Sequence, residues 1–242
     1  MSAVSSFVGP IPIRTYAGAE GKGAVLLYHG LRSSMASLHR EAEHIAKTGL
    51  TAVLVDAPHH GARHTEVVGT MPNALELPGH YVVLRLVREA RDEVPMLVDH
   101  LLAHGHPKVA VAGVSFGGFI ALAAATKEPR LGAIASIMGS PDWSPRDVPV
   151  PPDLEHVVAE SPLARHDAFP PRPLLMLNGA LDDNVRPHGA RHLADKLRPL
   201  YANGQDERLV HVEYPDATHF PSDGVWTNMW NRTARFLYDA LA

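Results

Sequence analysis

The chain contains no cysteine among its 242 residues. That absence removes disulfides, thiol nucleophiles and thiolate-held metals together, and it fits a reducing, cytoplasmic setting. Charge is also nearly balanced. With 22 basic and 26 acidic side chains the net charge is −4, and no block of one sign stands out. Neither nucleic acid nor an anionic membrane is therefore an expected partner. No apolar run reaches the ~20 residues that cross a bilayer. Residues 1–9 lack the basic start and apolar centre of a secretory signal. There is no repeat and no low-complexity tract. What is present is ordinary for a globular protein, 45 % apolar and 20 % charged, in a length that suits one large α/β domain spanning 1–242.

Short apolar runs alternate with longer segments of helical periodicity. Ala24–Tyr28, Thr51–Asp56, Val109–Gly113, Ala133–Met138, Leu174–Asn178 and Leu209–Tyr214 read as strands. Most are continuously apolar, as strands buried on both faces of a parallel sheet should be. Ile11–Ala17 suits an antiparallel edge strand. Helices are expected from a Ser33 or Ser34 cap to about Lys47, from Leu77 to Ala103, over Phe119–Lys127, over Gly189–Leu197 and over Trp226–Leu241. Pro95 should kink or split the second of these. The order predicts a doubly wound, mostly parallel sheet with ligands bound at the carboxyl ends of its strands. Residues 139–173 break the alternation. Proline-rich, with one short helix near Leu154–Ala159, they read as a loop and minimal cap over the active site.

The most informative stretch is Gly113-Val114-Ser115-Phe116-Gly117-Gly118. It has the G-x-S-x-G pattern between a strand and a helix, where a sharp turn exposes the serine beside a helix N-terminus. A serine hydroxyl is a poor nucleophile unless a base takes its proton and a carboxylate orients that base. Past the next strands the chain offers Gly179-Ala180-Leu181-Asp182-Asp183-Asn184-Val185 and then Pro215-Asp216-Ala217-Thr218-His219. His219 follows a strand and is preferred as base over His211, which lies inside one. An oxyanion hole would take one backbone N–H from Phe116 and another from the loop His29-Gly30-Leu31, with Leu31 the expected donor and Arg32 the alternative.

These motifs, together with Asp56-Ala57-Pro58-His59-His60-Gly61, resemble those of α/β-hydrolases of the dienelactone-hydrolase and small prolyl-oligopeptidase-like esterase group. The likeness spans nearly the whole chain. It implies an α/β-hydrolase fold and a serine hydrolase with Ser115, Asp182 and His219 as its catalytic residues. The group's acid pattern, Gly-x-x-Asp-x-x-Val-Pro, places Asp182 at the acid position. Arg186 separates Val185 from Pro187 here, which leaves Asp183 as the rival. Asp56 is expected to bond backbone, with Pro58 and Gly61 shaping its loop.

The reading that follows is a carboxylesterase acting on small-molecule esters of short acyl groups through an acyl-enzyme, with no cofactor. Trp143 and Met138 are the candidate substrate-binding residues of an acyl pocket, beside Leu31 and Phe116, although core packing suits Met138 equally well. The same residues would support a thioesterase, an acyltransferase or a cofactor-free perhydrolase, and a non-catalytic ligand-binding protein is the rival from another class. Sixteen histidines raise the question of a metal. Neither His59, His60 and His64 nor His100, His104 and His106 has a companion set at zinc-ligand spacing, so no metal site is expected.

Overall fold

The computed structural model describes residues 3–202 and 204–241. Its strands are β1 (Ala3–Val8), β2 (Ile11–Tyr16), β3 (Ala24–Tyr28), β4 (Thr51–Val55), β5 (Val109–Val114), β6 (Leu131–Ile137), β7 (Leu174–Gly179) and β8 (Leu209–Tyr214). They form one sheet in the order β1-β2-β4-β3-β5-β6-β7-β8. Strands β3 to β8 are mutually parallel where they pair, and β1 and β2 join antiparallel. The helices are α1 (His39–Ala46), α2 (Glu66–Thr70), α3 (Leu77–Ala103), α4 (Phe116–Ala125), α5 (Glu155–Val158), α6 (His188–Tyr201) and α7 (Asp223–Leu241). This is the doubly wound sheet of the α/β-hydrolase fold.

The continuous apolar runs now have their reason. In β3, Ala24, Leu26 and Tyr28 face a core shared with α3, α4 and α6, while Val25 and Leu27 face a second core shared with α1 and α7. Every residue of β3, β4 and β5 is buried, and Thr51, a polar side chain facing inward among their aliphatic residues, accepts the Gly18 N–H at 3.1 Å.

Three local expectations are corrected. Ile11–Tyr16 is not the edge, because β1 pairs outside it from Ala3↔Tyr16 to Val8↔Ile11. Helix α3 continues for 27 residues through Pro95, which does not split it. The proline forfeits one backbone bond, but Leu84, Leu86, Val87, Val94, Leu97 and Val98 are all buried along this helix, and such burial outweighs a local penalty of about 3 kcal/mol. Ser34 does precede a short 3-10 turn, Met35–Leu38, yet its side chain makes no capping bond. The Met35 N–H goes instead to Asp56 Oδ1 at 2.7 Å.

Residues 139–173 form an irregular excursion containing α5 and a 3-10 turn at His166–Ala168. Trp143 and Phe169, both fully buried, anchor it to the core. Its far side is tied to the turn after β7. Arg146 donates to the Asp183 main-chain oxygen and, at 2.6 Å, to Asp183 Oδ1, while Arg186 grips Asp147 at 2.8 and 3.1 Å.

Candidate active site

Strand β5 delivers Ser115 to the carboxyl edge of the sheet with φ 54° and ψ −115°. That conformation is strained for a residue with a side chain. It persists because the surroundings leave little alternative. The Ser115 N–H is bonded to Ile137 O at 2.8 Å. A Cβ on Gly113 would lie 2.2 Å from Gly117 O, and one on Gly117 would lie 2.1 Å from Tyr28 O. Only glycine at both positions lets the turn, α4 and the end of β3 approach so closely. Phe116 opens α4, so its N–H belongs to the first turn, where no intrahelical acceptor exists.

Two other loops bring the remaining groups. The turn after β7 and the loop after β8 are stitched together by the Ala180 N–H to Tyr214 O at 2.9 Å and the Leu181 N–H to Ala217 O at 3.0 Å. A side chain on Gly179 would collide with Ala217 O. This stitching places Asp182 under His219. The His219 Nδ1–H donates to Asp182 Oδ2 at 2.7 Å. Its Nε2 lies 2.9 Å from Ser115 Oγ. A carboxylate only accepts, so Nε2 is the free acceptor for the hydroxyl proton. Asp182 Oδ1 is held by the N–H groups of Asn184 and Val185 at 2.9 and 2.8 Å. The Asp182 side chain is wholly buried and that of His219 is 14 % exposed.

The adjacent Asp183 points outward into the Arg146 and Arg186 cluster, its side chain 81 % exposed. His211 lies in β8 facing Glu213 at 3.7 Å, and burial holds its pKa below the usual imidazole value. Neither makes a bond to Ser115 or His219. Trp143 and Met138 are 0 % and 1 % exposed, each packed in a core. The apolar surface near the site belongs instead to Phe220, 81 % exposed with its ring edge-on to His219, to Leu181 at 59 %, and to the half-buried Leu31.

A second polar cluster lies at the ends of β3 and β4. Asp56 is 1 % exposed and accepts from Met35 N–H and, at 2.8 Å, from Ala62 N–H. This is the backbone-tying role expected for it. His29, also fully buried, donates from Nδ1 to Gly30 O at 2.8 Å and accepts the Ala57 N–H at Nε2. Desolvation lowers its pKa to about 4. His60 donates from Nδ1 to Pro58 O at 2.8 Å, and burial lowers its pKa as well. His59 turns away, bonded to Thr65 Oγ1 and Glu89 Oε2. It lines a cavity of about 540 Å³ that does not include Ser115. Among the described residues no three His, Asp or Glu side chains are placed to hold a metal ion.

Sheet order, strained serine turn and strand-end loops together define a serine hydrolase on the α/β-hydrolase scaffold. The chain belongs to the families of serine aminopeptidase S33 and prolyl oligopeptidase, which match residues 19–161 and 92–241 respectively. YjfP of Escherichia coli, named an esterase, is 29 % identical over 217 residues, covering 81 % of each chain. YitV of Bacillus subtilis, which also carries an esterase name, is 28 % identical over 218 residues, covering 81 % of this chain and 82 % of its own. A solved structure from Thermus thermophilus superimposes with a TM-score of 0.81 at 22 % identity, over 98 % of this chain and 97 % of its own. Among the described residues no helix is long and apolar enough to cross a membrane.

Proposed function

We propose that this chain hydrolyses carboxylic esters of small acyl groups, with Ser115 as nucleophile, His219 as general base and acid, and Asp182 as the orienting carboxylate. The observation that carries the reading is the continuous bond relay from Ser115 Oγ to His219 Nε2 at 2.9 Å and from Nδ1 to Asp182 at 2.7 Å. Ser115 Oγ attacks the ester carbonyl carbon as its proton passes to His219 Nε2. Asp182 keeps the Nδ1–H fixed and stabilises the imidazolium that forms. The developing oxyanion accepts from the Phe116 and Leu31 N–H groups. Collapse expels the alcohol, which takes the proton from His219. Water then repeats the sequence at the acyl-enzyme and releases the acid.

Substrate choice follows from the rim. The acyl group is received against Leu31 and Phe220, with Leu31 backed by the core that holds Trp143, and the 139–173 segment serves as a minimal cap. Neither the cavity of about 540 Å³ beside His59 nor one of about 340 Å³ between α3 and Leu154 includes Ser115. With only the short 139–173 segment as cover, the site is suited to short acyl chains rather than long lipids, which need an enclosed apolar channel. Hydrolysis of p-nitrophenyl acetate, butyrate, octanoate and palmitate tests the reading. The first two should turn over with the highest kcat/KM, and Ser115→Ala should abolish all four. Equal turnover by Ser115→Ala would refute the nucleophile, and a preference for palmitate would refute the acyl assignment.

A further inference from the structure

Three aromatic rings, His29, His60 and Phe116, touch in succession beside the two backbone groups proposed as oxyanion donors. The rings of His29 and His60 are 5.1 Å apart, and His60 stacks on Phe116 at 5.1 Å with only 26° between planes. One end of the row is fastened to the loop after β3, where the His29 Nδ1–H holds Gly30 O, the residue before Leu31. At the other end is Phe116 itself. His60 is 1 % exposed, and its Nε2 is buried without a hydrogen-bond partner. A buried unpartnered nitrogen costs stability, and a leucine would fill the same space without that cost but also without a flat ring.

We infer that His60 is a positioning residue for the oxyanion hole, a flat spacer that sets the separation of the Leu31 and Phe116 backbone donors. The inference rests on the hydrolase reading above. An oxyanion donor acts through placement, and a shift of about half an ångström is enough to weaken it. The Phe116 ring is clamped between His60 and the core it shares with Tyr28 and Trp143. That clamp restrains the first turn of α4, whose N–H must meet the transition state. His60 also ties its own turn through the Nδ1–H to Pro58 O, so the spacer cannot slide out of the stack. The ring is needed flat and neutral. The charged and titratable groups disposed around it are Asp56, His59, His64 and His29, and burial keeps the imidazole uncharged despite Asp56.

Three substitutions test this in the full chain. His60→Phe keeps a flat ring, His60→Met fills the volume without one, and His60→Ala leaves a cavity. Kinetics are expressed per Ser115 labelled by a fluorophosphonate, so that unfolded protein is not counted. Total loss of one donor typically costs on the order of 10²–10³ in rate, so a displaced donor should cost about tenfold. His60→Met and His60→Ala should lose about tenfold in kcat with KM within about twofold, the pattern of an interaction made only in the transition state. Their phosphonylation rates should fall in parallel, while His60→Phe stays within about threefold of wild type. If His60→Ala does not fold, the Phe and Met pair decides alone. Wild-type kcat in the Met variant would overturn the inference, as would a Phe variant as slow as Met. Failure of the wild-type chain to label at Ser115 would instead refute the hydrolase reading.

Discussion

Two histidine–carboxylate groups sit at the same edge of one sheet, built from the same residue types in opposite surroundings. His219 and Asp182 hang on loops after β8 and β7, with the imidazole partly open and one nitrogen bonded to a hydroxyl. His29 and Asp56 end β3 and β4, both buried, and their side chains are spent on backbone groups at Gly30, Ala57, Met35 and Ala62. Their nearest mutual approach is a long 3.8 Å. Chemistry therefore follows from what each nitrogen faces, not from the pairing of histidine with aspartate. A histidine with both nitrogens satisfied by main chain is a structural peg. One with a carboxylate behind it and a serine in front is equipped for proton transfer.

The difference can be broken by substitution. His219→Gln should lower kcat/KM by at least about 10³-fold while thermal unfolding shifts less than in Asp56→Ala, because the Asp182 carboxylate keeps the Asn184 and Val185 N–H donors. Asp56→Ala should do the reverse in kind, costing about 2–4 kcal/mol of unfolding free energy in urea titration, since two buried N–H groups lose their acceptor.

Acid separates the two sites further. His29 has a folded pKa of about 4 against an ordinary 6.5, so the unfolded chain binds the proton first. Its neutral peg is fully effective above pH 6.5, and that stability is lost as pH falls from 6.5 through about 4. The loss for this one group is on the order of 3 kcal/mol. Urea midpoints measured across that window should fall with pH. His29→Gln, which retains an acceptor for Ala57 N–H, should flatten the slope although its absolute stability is lower. The smallest effect sharpens the contrast between neighbours. Asp183→Asn removes an exposed partner of Arg146 and Arg186 and should change kcat by less than about threefold, whereas Asp182→Asn should approach the His219 loss.

Much of this architecture was legible from local pattern. The glycines around Ser115, the apolar runs and the loop positions of Asp182 and His219 follow from rules that act over a few residues. The elements that escaped depend on distant partners. Ala3–Val8 has two central serines and almost no buried face, so nothing in its own sequence marks it as a strand until β2 offers a ladder. The acceptor of Met35 N–H is Asp56, 21 residues away, which no capping rule at Ser34 reveals. Trp143 suggested a pocket wall by its position after β6. Its full burial depends on how the 139–173 segment folds back, and His80 on α3 takes part by donating to Trp143 O at 2.9 Å. The group's acid pattern favours Asp182 in the sequence, and the stitched loops aim that carboxylate at His219 while Asp183 faces Arg146 and Arg186, a separation that two adjacent aspartates do not reveal by themselves.

Peptide mapping of the chain after reaction with a fluorophosphonate tests the account most directly. A single phosphonyl adduct on Ser115 is expected, formed at wild-type rate in Asp183→Asn and at least about 10³-fold more slowly in His219→Gln. An adduct on another residue, or on Ser115 at a rate indifferent to His219, would contradict it.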